Sequence, residues 1–264
     1  MSKHRIACCL ALSAGLMAAG CAKKTEAPAE APAPVAEAPA PAEAPAAPAA
    51  GGSAVRGVVS YANGDPDTPI KMDADPVCAG LHTTPVQTEK VITDGAGHLA
   101  NVFVYVKAGL PAGGNYPVPA TPAVIDQKGC QYLPHVQGVM VGQKVKIINS
   151  DPTLHNIHAH AKANPEFNQG QPFEGMEMEK VFDKVEVMIP FRCDVHPWMA
   201  SYMGVLEHPF FAVSKADGSF EIPNLPPGSY TLEAWHESLG TQTADVTVAA
   251  GAPADANFSF KPAA

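Results

Sequence analysis

The sequence predicts an all-β protein. Short runs rich in Val, Ile, Phe and Tyr recur from Val55 onward, and Gly, Pro, Asn and Asp separate these runs. No stretch of helical period and useful length interrupts them. Many short strands with turn residues between them are typical of a β-sandwich or a barrel, so we expect one of these architectures.

The N-terminal residues have the pattern of a secretion signal. Lys3 and Arg5 precede an apolar run, residues 6–19, that is too short to cross a bilayer. The small residues before Cys21 resemble a bacterial lipobox, so we expect cleavage after residue 20 and acylation of Cys21. The lipid would hold the protein at a membrane, in the periplasm or at the cell surface. Cleavage and simple release is the alternative.

Residues 21–53 are almost entirely Ala, Pro and Glu and contain no aromatic residue. Such a segment buries little surface, so we expect a solvated linker with a reach of up to about 100 Å.

The charge of the chain argues against nucleic acid as a partner. The full sequence has a formal charge of −9, and removal of residues 1–20 takes away two positive charges and no negative ones, which gives −11. We expect no nucleic-acid binding and consider a basic protein surface a plausible partner.

Two groups of strands are predicted. Residues 55–61, 101–106 and 144–148 form the first group. The second group begins near residue 207, with a hairpin signal at Asp217-Gly218. Its strands are predicted at residues 219–222, 230–235, 246–248 and 257–260. We divide the folded part into residues 54–206 and 207–264, and the strand partners of residues 54–97 stay open.

The number of cysteines in the folded part implies one free thiol. Two cysteines leave with the signal and a third is the acylation site, so the folded part retains Cys78, Cys130 and Cys193. Three thiols in an oxidising compartment leave one unpaired. A Cys78–Cys130 disulfide would leave Cys193 free, and a bond from Cys193 to either of the others is the alternative. The residues that follow Cys193 favour the free thiol.

The loop from Cys193 to Met199 reads Cys-Asp-Val-His-Pro-Trp-Met. With His155 upstream it offers a thiolate, two imidazoles and a thioether. A His₂Cys site with a long axial Met is the ligand set of blue electron-transfer copper, whereas zinc rarely takes Met. The sequence therefore predicts one copper ion bound by His155, Cys193, His196 and Met199. Met203 is the alternative axial ligand.

These two segments resemble the cupredoxin family of blue copper proteins. The stretch from Gln131 to Asn156 is similar to the region of the first ligand, and Cys-x₂-His-x₂-Met has the spacing of the amicyanin type. The resemblance implies a Greek-key β-sandwich over about residues 130–206 and the four copper ligands named above. It also implies that Asn156 braces the ligand loops by hydrogen bonding.

Residues 225–236 resemble the transthyretin-like and carboxypeptidase regulatory-like β domains. This resemblance implies a small additional β-sandwich, and it carries no catalytic motif.

The copper-site resemblance implies a one-electron carrier rather than an enzyme. Its partners would be redox proteins such as a cytochrome, docking near His196 and Trp198. Whether Trp198 faces a partner or the core stays open. The alternative function is a copper-binding or delivery lipoprotein without an electron-transfer role, which the Met176-Glu177-Met178 segment would favour.

The remaining histidines are predicted to be solvated or structural. If residues 155–160 form a strand, His158 and His160 face away from His155 and are not ligands of the same ion. We expect His135, His208 and His236 to be structural or surface residues.

Overall fold

A computed structural model describes residues 52–62 and 68–261 of the chain. The predicted signal peptide (1–20), the acylation site Cys21 and nearly all of the predicted linker lie outside the described residues. Within the described ranges, no helix is long and apolar enough to span a membrane.

The described residues are almost entirely strand and loop, so the predicted all-β class is confirmed. In chain order the elements are β1 (Ser53–Tyr61), α1 (Pro76–Gly80), β2 (Phe103–Ala108), β3 (Ala123–Lys128), β4 (Gln131–Leu133), β5 (Val136–Met140), β6 (Lys144–Asn149), β7 (His155–Ala159), β8 (Phe167–Gln171), β9 (Met176–Val181), β10 (Glu186–Arg192), β11 (Ala200–Leu206), β12 (Phe211–Val213), β13 (Ser219–Leu225), β14 (Gly228–His236), β15 (Gly240–Val248), β16 (Ala254–Asp255) and β17 (Phe258–Phe260).

Two sheets pack face to face to form the central sandwich. Their strand orders are β5-β11-β10-β7-β8 and β4-β3-β6-β9. Strand alternation sends one face of each sheet into a shared core, in which Ile125, Ile147, Ile157, Ile189 and Phe191 are all fully buried. Each such side chain stabilises the fold by about 1.5–3 kcal/mol relative to its exposed state.

The C-terminal sandwich consists of the sheets β13-β1-β16, with β17 also on β1, and β12-β2-β14-β15. Strands β1 and β2 precede the central sandwich in sequence, yet Val55 pairs with Ile222 and Phe103 pairs with Trp235. The strand pairing therefore differs from the predicted division at residues 206 and 207. The reason is that β14 can hydrogen-bond on both edges, and β2 covers the edge that β15 leaves free.

The predicted turn at Asp217-Gly218 forms, but it does not make a hairpin within one sheet. The strands that it joins, β12 and β13, lie in the two different sheets of the C-terminal sandwich. Gly218 adopts a φ of 70°, and a Cβ there would lie 2.4 Å from the carbonyl oxygen of Val59. The residues that signalled a hairpin instead make a tight corner between sheets.

An apolar cluster joins the two sandwiches, and the described residues form one compact unit. The outer faces of β5 and β11 meet the outer faces of β2 and β12. Gly138 and Gly204 allow this approach, because a Cβ at Gly138 would lie 2.5 Å from the Phe211 ring and one at Gly204 would lie 2.5 Å from the Phe103 ring. The buried members of the cluster are Phe103, Tyr105, Val136, Met140, Met188, Tyr202, Leu206 and Phe211.

A buried polar cluster lies beside this contact. Glu237, which follows β14, accepts hydrogen bonds from His135 and from the Tyr202 hydroxyl, the latter at 2.7 Å. Burial alone lowers the pKa of His135, but Glu237 and Glu89 outweigh it, so the pKa is raised. His135 is thus a structural residue, as expected, and its hydrogen bond to Glu237 connects the two sandwiches.

We expect Gly204→Ala to lower the free energy of unfolding by about 1–3 kcal/mol, because the added methyl group overpacks the contact with Phe103. Gly170→Ala is the matched control, since it also lies in a strand but nothing is within 4 Å of the added Cβ. The control should stay within about 0.5 kcal/mol of the wild type. Urea denaturation measures both, and equal stability of the two variants would contradict the tight contact.

Candidate metal centre

Three neighbouring strands bring the predicted ligands to one end of the central sandwich. His155 is the first residue of β7, and Cys193 directly follows the last residue of β10. The two strands are antiparallel neighbours, so the start of one lies beside the end of the other. His196 and Met199 lie in the loop that connects β10 to β11.

The structure brings His155, Cys193 and His196 together. The two Nδ1 atoms of His155 and His196 are 2.9 Å apart, and Cys193 Sγ is 3.9 Å from His196 Nδ1. All three ligand atoms lie within 4.8 Å of one another. The exposed fractions are 0% for His155 and 2% for each of the other two, so the group is closed to solvent.

Met199 lies in the same buried cluster as Cys193 and is 1% exposed. Two backbone hydrogen bonds close the loop, from Met199 N to the carbonyl of His196 at 2.9 Å and from Cys193 N to the carbonyl of Met199 at 3.4 Å. Met203 also belongs to this cluster. The assignment of the axial thioether to Met199 therefore stays a prediction.

Asn156 makes the bracing contacts that the resemblance implies. Its Oδ1 accepts hydrogen bonds from the backbone N–H groups of Asp194 at 2.7 Å and Val195 at 3.3 Å, and it lies 3.3 Å from Cys193 Sγ. Its own carbonyl accepts a hydrogen bond from Tyr132. A single amide thus ties β7 to the ligand loop.

Two carboxylates orient the imidazoles, and the sequence did not reveal either of them. His155 Nε2 donates to Asp151 at 2.9 Å, and His196 Nε2 donates to Asp75 at 2.9 Å. Asp151 lies four residues before His155, a spacing that could have been noticed. Asp75 caps the N-terminus of α1 and lies 121 positions from His196, so no local signal could have connected them.

The site favours a positive charge between its ligand atoms. Burial alone lowers the pKa of His155, but Asp151 and the Cys193 sulfur outweigh it and raise the pKa to about 9. Burial raises the pKa of Cys193, but His155 and nearby backbone N–H groups outweigh it and lower the pKa. Hydrogen bonds from His196 and from backbone N–H groups keep the pKa of Asp75 low.

This geometry fits a copper ion. When both Nε2–H groups are donated to carboxylates and neither Nδ1 carries a proton, the two Nδ1 lone pairs face each other at 2.9 Å. Two lone pairs at that distance repel unless a proton or a metal ion lies between them. A thiolate and two imidazoles are the donors that copper prefers, and carboxylates behind the imidazoles are the usual support of such ligands.

The structure joins Cys78 to Cys130 in a disulfide, and Cys193 is the free cysteine of the described residues. Two further groups of potential ligands surround the site, and each contains one of the disulfide sulfurs together with His155 or His196. Because an oxidised sulfur is not a thiolate donor, neither group forms a separate thiolate site.

His196 does not reach the surface. Asp75 and the Cys78–Cys130 disulfide cover its ring, and Cys78 Sγ lies 3.6 Å from His196 Nε2. Trp198 is half-buried, and its indole N–H donates to the carbonyl of Cys130 at 3.0 Å. The same ring also lines a cleft of about 450 Å³ between the ligand loop and the polar cluster around Glu237. Trp198 therefore faces both the core and an open cleft.

The other candidate residues lie away from this group. Met176 and Met178 lie on the edge strand β9, where both are half-buried and Met178 packs against the core. This position does not offer an exposed pair of thioethers to Cu(I). His208 and His236 are largely buried, and burial lowers the pKa of each to about 4.

One family model matches the C-terminal part of the chain. Residues 207–261 match the family model of the carboxypeptidase regulatory-like domain. No curated protein matches the chain in sequence.

Solved structures that resemble part of the chain include a copper-containing nitrite reductase, a cupredoxin and amicyanin. A Cu-containing nitrite reductase from Thermus scotoductus SA-01 is 20% identical over 38% of this chain and 25% of that chain, with a TM-score of 0.31. A purple cupredoxin from Nitrosopumilus maritimus is 24% identical over 31% of this chain and 98% of its own, with a TM-score of 0.28. A mutant of amicyanin with Cu(I) is 21% identical over 39% of this chain and 97% of its own, with a TM-score of 0.29. At these identities and TM-scores the likeness supports no conclusion about the function of this chain.

We expect Asn156→Ala to weaken copper binding by about 10–100-fold, because the variant loses the acceptor that fixes the backbone of Asp194 and Val195. A competition titration against a copper chelator measures the affinity. Asn257→Ala is the control, since its Oδ1 also accepts from a backbone N–H, that of Val58 at 2.8 Å, but in the C-terminal sandwich. An unchanged affinity in Asn156→Ala, or equal losses in both variants, would contradict the bracing role.

Proposed function

We propose that this protein is a blue copper electron carrier that passes one electron between redox partners and turns over no substrate. One observation carries the proposal: the Nδ1 atoms of two carboxylate-oriented imidazoles meet at 2.9 Å beside the buried, unpaired thiol of Cys193. A bound copper ion would supply the change between Cu(II) and Cu(I).

The residues of the site would hold one geometry in both oxidation states. Asp75 and Asp151 stop the two imidazole rings from rotating, and Asn156 fixes the loop that bears Cys193 and His196. Burial excludes water from the ligand atoms, so a solvent molecule does not have to be gained or lost when an electron moves.

We further propose that the protein works outside the cytoplasm, anchored by a lipid on Cys21 and carried on the linker of residues 21–53. Two observations support this location. The sequence before Cys21 resembles a lipobox. The Cys78–Cys130 disulfide suits an oxidising compartment.

A redox protein such as a small cytochrome is the proposed partner. Because Asp75 and the disulfide cover His196, we place the docking surface at the exposed side of the ligand loop, formed by Val195, Pro197 and the accessible edge of Trp198. The ring of Trp198 lies 5.1 Å from the ring of His196, so this surface is close to the metal ligands. The acidic net charge favours a basic partner.

We expect the protein to take up Cu(II) with an intense blue or green absorption that Cys193→Ser abolishes, because the colour requires the thiolate. Optical and EPR spectra of the copper-loaded protein measure this. His98→Gln is the control, since it removes an exposed histidine of the C-terminal sandwich and should leave the absorption unchanged. A colourless copper complex of the wild type would contradict the proposal.

We expect Val195→Ser to slow electron exchange with an oxidised small cytochrome by about five- to tenfold, because about 1 kcal/mol of apolar contact is lost. Val118→Ser is the matched control, since Val195 is 44% exposed and Val118 is 45% exposed, but Val118 lies outside the ligand loop. Stopped-flow mixing measures the rate, and the optical spectrum checks that the metal site is intact. Equal rates in the two variants would place the docking surface elsewhere.

A further inference from the structure

A second cluster of imidazole and carboxylate donors lies on the outer face of the sheet that contains β8, β7 and β10. Ile157 and Ala159 of β7 are both 0% exposed and face the core. Strand alternation therefore turns His158 and His160 to the opposite side, away from the ligand atoms of His155. Glu166, which directly precedes β8, completes the cluster.

The donor atoms of this cluster are close enough to share one ion. Glu166 Oε1 lies 2.8 Å from His158 Nε2 and 3.8 Å from His160 Nδ1. Two ligand atoms that each bind one transition-metal ion at about 2.0–2.2 Å lie about 3.0–3.4 Å apart at angles near 90–110°. The observed distances bracket this range, so small side-chain rotations are sufficient to bring all three atoms onto one ion.

Backbone pairing holds the two histidines in place. His158 pairs with Arg192 of β10 and with Asn168 of β8, while the N–H of His160 donates to the carbonyl of Pro190 at 2.9 Å. Because these strands are fixed by the sheet, the two imidazole rings lie side by side with centroids 3.9 Å apart. Little ordering of the backbone would be required when an ion binds.

Two side chains lie behind His158. Its Nδ1 lies 3.4 Å from a carboxylate oxygen of Asp194 and 3.3 Å from the amide nitrogen of Asn168, and its Nε2 is directed towards Glu166. A carboxylate on the far nitrogen is the usual partner of a ligating imidazole. The side-chain amide of Asn168 also donates a hydrogen bond to the carboxylate of Asp194.

Solvent can reach this cluster. The side chains of His160 and Glu166 are 42% and 58% exposed, whereas His155 is fully buried. An ion here would enter directly from water and would keep water in its remaining coordination positions, unlike an ion at the buried thiolate site.

We propose that His158, His160 and Glu166 form a second metal site, which takes a divalent transition ion, Cu(II) in preference to Zn(II). Two imidazoles and a carboxylate suit either ion, and the order of affinities for such donors places Cu(II) first. The site does not depend on the proposed electron-transfer function. It shares no ligand with the group of His155, Cys193 and His196.

The test is the number of Cu(II) ions that the full chain retains at saturation, measured by metal analysis together with EPR spin counting. We expect two ions in the wild type and one in His160→Gln and in Glu166→Gln. The ion that is lost should show no intense absorption, because it has no thiolate ligand. The affinity of the second site for Cu(II) should fall by at least about 100-fold in these variants, since loss of a residue that only supports a ligand lowers metal affinity by about 10–100-fold.

His98→Gln is the matched control, because His98 is also an exposed histidine paired with a single carboxylate, that of Asp94 at 2.7 Å, and it should retain two ions. A single ion in the wild type that His160→Gln retains, or two ions in His160→Gln, would overturn the second site. A colourless wild type whose remaining ion is lost in His160→Gln would support the second site while contradicting the electron-transfer function. The two proposals therefore fail separately.

Discussion

The hydrogen bonds from His155 to Asp151 and from His196 to Asp75 determine the geometry on which the metal centre depends. Both carboxylates are themselves held by backbone N–H groups beside the disulfide. Asp151 accepts from Cys130 N at 2.7 Å, and Asp75 accepts from Cys78 N at 3.2 Å. The disulfide therefore joins the two cysteines whose backbone N–H groups hold these carboxylates. Because each ring is fixed through its Nε2, the two Nδ1 atoms can face each other at a distance that would otherwise be repulsive.

This arrangement has a consequence for electron exchange. The segment that supplies Asp75 also covers the ring of His196, so His196 is only 2% exposed. In the proposed electron-transfer function, an electron would leave through groups that touch the ligands and also reach solvent. Trp198 meets this requirement, because its ring lies beside His196 and lines the cleft on the other side. Closing the site in this way stabilises its geometry and would restrict the proposed electron route to one side of the ligand loop.

The sequence revealed what is local and missed what is distant. The spacing of Cys193, His196 and Met199 in one loop could be read directly, and counting cysteines indicated the free thiol. Strand positions such as β6 and β14 also followed from alternation and turn residues. Periodicity identifies a strand but not its partner, so the pairing of β1 and β2 with the C-terminal strands could not be predicted. Asp75 was missed for the same reason, since its contact with His196 spans 121 positions.

The C-terminal sandwich is part of the scaffold of the metal centre, because it contacts the strands that flank the ligand loop. Along β11, Met203 and Val205 face the core of the central sandwich, whereas Tyr202 and Leu206 face the C-terminal sandwich. Arg192, the residue before Cys193, donates to the Tyr202 hydroxyl at 2.6 Å, and Tyr202 donates to Glu237. Both ends of the ligand loop are thus anchored to a residue of the neighbouring sandwich. The C-terminal sandwich thereby contributes to the rigidity that a copper site would require.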